Sequence, residues 1–333
     1  MGSKLKLIDF IIPKLEDVVS EGETVLDLMA GTHAIGYALK PRHPIIANDI
    51  QEYSKVIGIG RIENNLISLT KKDLEKDIFP NLSKNKRYTL FVDNYIDTYF
   101  SKKQCWDIDD LRYSIDQTQN STKKALYLTA LIYAMGYCQS SPGHFAQYMP
   151  KNHPRLKTLR ELSILDSFKK KVLENHVVFS KFKNKVFKKD YRELLANESI
   201  KKNLQGVKLI YIDPPYSEAQ YSRFYHLLET AVKYDYPELD YKGLYRDDRF
   251  QSNFCYEGKV GDEFDFVANA TANMKAKLAI SYSERGLIPP RAIERICKKY
   301  FKKVKIHSFE HSHSMQGRGM ILSLKEVLIT AEN

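Results

Sequence analysis

The stretch Leu209-Ile210-Tyr211-Ile212-Asp213-Pro214-Pro215-Tyr216 constrains the fold of this chain more than any other. Its apolar, β-branched first half fits a strand covered on both faces, as in a parallel sheet. The strand must stop at the prolines, because each fixes φ and neither offers an N–H to a ladder. The outcome is a stiff, extended corner at the carboxyl end of a buried strand. In open α/β sheets, ligands bind at that end.

The corner carries a carboxylate (Asp213), a carbonyl (Pro214), a second proline that stiffens the turn (Pro215) and an aromatic ring (Tyr216). An exocyclic amino nitrogen such as that of adenine is a poor nucleophile, because its lone pair is delocalised into the ring. Two acceptors, one per N–H, draw the nitrogen towards tetrahedral geometry and localise that pair. Asp213 and Pro214 supply two such acceptors. Tyr216 supplies a face on which a base taken out of its helix can stack. Acceptors placed in advance serve the transition state without reorganising.

Two more strand ends lie upstream. Thr24 to Leu28 is a short strand, and Met29-Ala30-Gly31-Thr32-His33-Ala34-Ile35-Gly36 turns from it into a helix. Gly31 lets the backbone approach a ligand closely, and the helix start offers N–H donors. Pro44 to Ala47 is a second strand, ending at Asn48-Asp49. An acidic residue there can take both hydroxyls of a ribose. It is as natural a helix N-cap, and the two roles are compatible.

The Asp-Pro-Pro-Tyr corner resembles motif IV of amino-group DNA methyltransferases. With the other motifs, the chain resembles adenine-N6 methyltransferases of the D12 (Dam-like) class, nearest in wording to those of type II restriction–modification systems. The resemblance implies that Asp213, Pro214, Pro215 and Tyr216 are catalytic and that S-adenosyl-L-methionine (SAM) is the methyl donor. Residues 24–36 are similar to the family's motif I, which assigns Asp27, Met29, Ala30 and Gly31 to the cofactor, with Asp49 on its ribose. Met29 stands where phenylalanine is usual, and His33 where a second glycine is usual. Gly2-Ser3-Lys4 is similar to motif X, which gives Lys4 a part in holding SAM. Phe187 to Tyr191 is similar to motif III, in which Asp190 accepts from the amino group of the cofactor's adenine and Tyr191 flanks that ring. Leu278 to Ser283 matches a later family strand that lines the target base.

The rest of the chain is read from its residues. Lys4 to Leu15 is an amphipathic helix, and Pro13 predicts a kink or an early end. Gly58-Ile59-Gly60 reads as packing or a helix end. Tyr95 to Lys185 is mostly helical, notably Thr122 to Tyr137, and rich in basic and aromatic residues, including Lys169, Lys170 and Lys171. In the Dam-like order of motifs, the target-recognition segment is inserted there. The alternative is a helical lobe with a solvated lysine face. Val177 to Val186 reads as a returning strand or the insertion's last element. Lys242 to Gly261 reads as a loop, either facing DNA through Arg246 and Arg249 or simply connecting. The expected division is 1–94 catalytic, 95–185 recognition, and 186–333 catalytic.

The 333 residues carry a net charge of +11, which suits a polyanionic partner. Four scattered cysteines, with no C-x-x-C pair, read as reduced cytosolic thiols without a zinc site. No signal peptide or membrane-spanning run is apparent. His307, His311 and His313 lack an acidic or cysteine partner that would complete a metal site.

The expected fold is therefore α/β: the Rossmann-like sheet of SAM-dependent methyltransferases, mostly parallel with the last strand antiparallel, plus a largely helical inserted domain. The expected reaction is methylation of adenine N6 in a specific double-stranded DNA sequence, with base flipping. The expected partners are DNA and a cognate restriction endonuclease, in the cytoplasm, with no membrane and no metal. Cytosine-N4 and glutamine-N5 enzymes usually begin this corner with serine and asparagine, which Asp213 argues against. An RNA adenine target and a non-catalytic DNA-binding subunit are the readings left open.

Overall fold

Seven strands form one sheet: Thr24–Asp27 (β1), Ile45–Asp49 (β2), Lys185–Lys188 (β3), Val207–Ile212 (β4), Lys277–Ser283 (β5), Lys303–Ser314 (β6) and Ile321–Glu332 (β7). This computed structural model describes residues 4–85, 87–314 and 321–333, without the side chains of 310–314 and 321–324. The strand order is β3-β2-β1-β4-β5-β7-β6. The first five strands are parallel, and β7 runs antiparallel to both β5 and β6. The order reverses between β1 and β4. The carboxyl ends of these two strands therefore flank the switch point at which open α/β sheets bind ligands.

Both faces of the sheet are covered, which is why β4 shows no polar alternation after Lys208. Ile210, Ile212, Leu278, Ile280, Tyr282, Val327 and Ile329 pack in one cluster with Phe264, Val267 and Ala268 of the helix Glu257–Asn273 and Ile293 of the helix Pro290–Cys297. The alternate residues Leu209, Tyr211 and Ala279 are also buried. The helix Ala34–Leu39 packs on β1 and β2.

The chain divides into two compact units. The sheet unit takes in the described residues up to Ile50, Ser180–Gln220 and Gln251–Asn333, and the helical unit takes in Gln51–Phe179 and Tyr221–Phe250. Helix Ser121–Cys138 runs through the core of the helical unit. Buried polar groups tie its distant segments together. The Asp109 carboxylate accepts from the N–H groups of Phe91 at 3.0 Å and Val92 at 3.0 Å, and from the Tyr234 hydroxyl at 2.5 Å. Arg112 donates to the carbonyls of Ala231 and Val232. Glu229 accepts from the N–H groups of Glu52 and Tyr53 at 3.1 and 3.0 Å. These groups are costly to bury unpaired, so the contacts bind 51–94 and 221–250 to the insertion. The helical unit is thus built from two stretches, Gln51–Phe179 and Tyr221–Phe250.

Other local expectations change as well. Helix Ile8–Glu16 continues through Pro13, and the Asp17 N–H donates to the Pro13 carbonyl at 2.9 Å. Of the Val177–Val186 stretch, only Lys185 and Val186 are strand. The preceding Asn184 instead accepts from the Ile45 N–H through its side chain, at 2.8 Å. Gly258 and Gly261 lie inside a helix, because the burial of Val260, Phe264 and Val267 outweighs their propensity. Gly60 serves packing: an added Cβ would stand 3.2 Å from Leu126.

Among the described residues, no helix is long and apolar enough to cross a membrane. The four cysteines are buried and unbridged. Gly2, Ser3 and the side chains of His311 and His313 lie outside the described residues. Among the described residues, no three His, Cys, Asp or Glu side chains gather as metal ligands.

Candidate active site

The loop after β1 is held open by backbone geometry. The Leu28 N–H donates to the Tyr211 carbonyl, and the Ala30 N–H to the Asn48 carbonyl, each at 2.9 Å. Gly31 then takes φ +51° and donates its N–H to Asp49 Oδ2 at 2.9 Å. Among the described residues, no atom lies within 4 Å of a Cβ built on Gly31, so the backbone there is not crowded by them. His33 takes φ +60° with its side chain fully buried. A left-handed histidine costs about 1 kcal/mol. His33 thus adopts a left-handed conformation that a glycine would take freely.

Asn48 is the residue that sequence reasoning missed here. Its amide donates to the carbonyls of Leu28 at 3.1 Å and Lys189 at 3.0 Å, and its oxygen accepts from the Lys189 N–H at 3.1 Å. One buried side chain thus stitches together the ends of β1, β2 and β3. No pattern in the sequence marks an asparagine for this.

Asp190 is exposed and caps the helix Tyr191–Ala196, accepting from the Arg192 N–H at 2.8 Å. Tyr191 is a core residue. Its ring packs 5.4 Å from Phe254, and its hydroxyl donates to Glu263, which Arg192 also grips at 2.8 and 2.7 Å. The ring and its hydroxyl are thus anchored in the core of the sheet unit.

Across the switch point, the corner has a single cationic neighbour among the described residues. Lys4 Nζ lies 3.2 Å from Asp213 Oδ1 and 3.1 Å from Glu326 Oε2, and 5.9 Å above the Tyr216 ring. Asp213 is 26% exposed, so it keeps an open edge. Burial raises the Asp213 carboxyl above its ordinary pKa, and Lys4 opposes that rise. Burial alone would make Lys4 easier to deprotonate, but Asp213 and Glu326 hold it above the usual range. Glu326 is the second missed residue: it lies 322 positions from Lys4 in the chain.

Asp27 is buried, and Oδ2 accepts from the Gly36 N–H at 3.2 Å. Its other oxygen and the Tyr211 hydroxyl are buried without a hydrogen-bond partner among the described residues. Burial, offset in part by Gly36 and assisted by Asp213 and Asp49, pushes the Asp27 carboxyl up to about 7. Asp27 feels both Asp49 and Asp213, and Lys4 bridges Asp213 and Glu326, so the site carries an excess of acid suited to a cationic ligand.

Tyr216 is set by packing. Its carbonyl accepts from the Leu287 N–H at 3.2 Å, and its ring meets Tyr282 edge-on at 6.3 Å and 86°. Tyr282 in turn lies over Gly286, where a Cβ would come within 2.2 Å of the tyrosine ring. Pro214 is buried and Met29 half-buried.

A model of the family described as D12 class N6 adenine-specific DNA methyltransferase matches residues 1–278. The type II methyltransferase M.FokI of Planomicrobium okeanokoites is 29% identical over 322 residues, covering 90% of this chain and 46% of that protein. The modification methylase LlaI of Lactococcus lactis subsp. lactis is 27% identical over 358 residues, with 99% and 54% covered. The modification methylase StsI of Streptococcus sanguinis is 26% identical over 331 residues, with 90% and 46% covered. The chain spans about half the length of these three relatives.

Proposed function

We propose that this chain, which belongs to the D12 class of N6 adenine-specific DNA methyltransferases, methylates adenine N6 in a specific double-stranded DNA sequence and serves as the modification enzyme beside a cognate restriction endonuclease. The observation that carries the reading is the Asp213–Pro214 corner at the switch point, with its half-exposed tyrosine and its ion-paired carboxylate.

The cofactor of this reading is SAM. The residues present fit it: an open backbone at Gly31, orphaned buried oxygens on Asp27 and Tyr211, and an acid excess that favours a sulfonium and an ammonium. In this reading Asp49 takes the ribose hydroxyls, Asp27, Ala30 and Met29 hold the body of the molecule, and Asp190 accepts from its adenine. When bound, SAM supplies an electrophilic methyl group. The chain's own contribution is positioning and charge. Asp213 and the Pro214 carbonyl each accept one N–H of the target amino group, and Tyr216 stacks on the flipped base. The amino nitrogen gains the methyl and releases one proton, which Asp213 is placed to hand to solvent. This is positioning plus electrostatic stabilisation, with no covalent enzyme intermediate.

Sequencing with detection of methylated adenine, on DNA and RNA from cells expressing the chain, tests the reading. A single DNA context modified by the wild-type chain and not by Asp213→Ala supports it. Modified RNA with unmodified DNA overturns the choice of DNA, and no methylation of either overturns the reading.

Two outcomes follow from the site. Asp49→Ala should weaken SAM binding about tenfold by calorimetry, with a smaller effect on kcat at saturating SAM. It removes a ribose acceptor and frees the Gly31 N–H. An unchanged Kd would leave Asp49 as a loop tether only. Gly286→Ala should lower kcat at least tenfold, because its Cβ displaces the Tyr282 ring on which Tyr216 rests, and small misplacements of a reacting group are costly. An unchanged kcat would detach Tyr282 from the site.

A further inference from the structure

Three arginines lie within or just after the helix Tyr221–Lys233 of the helical unit, and they are used differently. Arg246 is buried and saturated. It forks onto Asp235 at 2.7 and 2.8 Å and reaches Asp248 at 2.8 and 2.9 Å, so it is not available to DNA as the sequence had suggested. Arg249 and Arg223 have no carboxylate partner among the described residues. Arg249 Nε and Nη1 and Arg223 Nε are buried and donate no hydrogen bond. The Arg249 guanidinium stacks 5.1 Å from the Tyr245 ring and 5.3 Å from the Tyr241 ring, and Arg223 lies 5.9 Å from Tyr245.

The rings that carry these two arginines are fixed in place. The Tyr245 hydroxyl donates to the Ala146 carbonyl, and His226 meets the Tyr245 ring edge-on at 5.0 Å. A Cβ on Gly243 would stand 2.2 Å from that ring, so only glycine admits it there. The single Tyr99 O–H is shared between the carbonyls of Phe145 at 2.8 Å and Gly243 at 3.0 Å, which ties both loops to it. Tyr241 is 76% exposed. A partly desolvated guanidinium with unmet donors is costly unless an anion completes it. A planar fork stacked on aromatic rings suits a phosphate.

We propose that Arg223 and Arg249, stacked on Tyr245 and Tyr241, form a preorganised clamp for one phosphodiester of the nucleic-acid substrate. The inference rests on the DNA reading above and assigns a contact outside the methyl-transfer corner. Both guanidiniums lie against the Tyr245 ring, which brings the two cations into one neighbourhood.

The lysines expected to contact phosphate are engaged locally. Lys169 pairs with Asp166 at 3.4 Å, and Lys170 and Lys171 pair with Glu174 at 3.7 and 2.8 Å.

The test measures the affinity of the full chain for its methylated DNA context against salt, by fluorescence anisotropy. Loss of one phosphate contact lowers the magnitude of the slope of log affinity on log salt by about 0.9. Arg249→Gln and the double variant Arg223→Gln/Arg249→Gln should each lose about that amount, with SAM binding unchanged. Scanning the DNA with neutral methylphosphonates should find one position that weakens wild-type binding and has no effect on the double variant. This scan on wild-type protein stands even if the variants fold poorly. Unchanged slopes, or no such position, overturn the clamp and leave the methyltransferase reading intact. Normal slope changes in a chain that methylates no DNA overturn that reading and leave the clamp. Absence of DNA binding overturns both.

Discussion

Asp213→Ala is expected to lower kcat for methyl transfer by about 10³-fold or more while SAM still binds. The carboxylate ends β4 at the switch point, and the two prolines after it leave the backbone no freedom to bring in a substitute. Removing it takes away the charged member of the acceptor pair, and the N6 lone pair then remains conjugated to the ring. Asp213→Asn keeps the shape and should fare nearly as badly, since an amide is a weaker acceptor and turns N–H donors towards the amino group. Lys4 would also lose one of its two carboxylates in either variant, but Glu326 still holds it at 3.1 Å. Single-turnover methylation of a labelled duplex at saturating SAM measures the effect. A rate within tenfold of wild type would remove Asp213 from the mechanism.

The parts of this molecule that were legible are those set by local rules. A β-branched run that stops at two prolines, a glycine with positive φ after a strand, and an acid at the end of the next strand each announce themselves over a few residues. β1, β2, β4 and β5, the helix Ser121–Cys138 and the antiparallel closing strand follow from such signals, whereas the sequence places β3 too early in the chain. What escaped was made by contacts between residues remote in sequence. Asn48 joins three strand ends, and Glu326 reaches Lys4 across the whole chain. The helical unit takes in 51–94 and 221–250 because Asp109, Arg112 and Glu229 meet backbone groups far along the chain, which periodicity does not show. Arg246 looked like a DNA contact because it is basic and lies in an apparent loop. Asp235 and Asp248 enclose it, while Arg249, three residues later, is left with bare donors. Tyr191 is read from its place after Asp190, and its anchoring by Phe254 and Glu263, far along the chain, is not visible in the sequence.

Lys4→Met is expected to shift the pH dependence of methyl transfer rather than lower the rate uniformly. The reactive form of Asp213 is the ionised carboxylate, because only that form is purely an acceptor. Burial already raises its pKa, and Lys4 is the opposing influence. Without the ammonium group the pKa rises further, so Asp213 stays protonated to a higher pH. A group that must be ionised supports activity above its folded pKa and loses it as pH falls through that value. The acid limb of the rate profile should therefore move to higher pH. The deficit should be ten- to a hundredfold near pH 6 and shrink steadily as the solution is made alkaline. Lys4 is held charged by Asp213 and Glu326, so its own titration does not enter this range. Lys4→Arg keeps the charge and should restore the limb. Glu326→Gln, which removes the second carboxylate on Lys4 and leaves the cation beside Asp213, should move the limb little or slightly down. If Lys4→Met lowers kcat by the same factor at every pH, Lys4 acts as a structural prop for the corner and not through the protonation of Asp213.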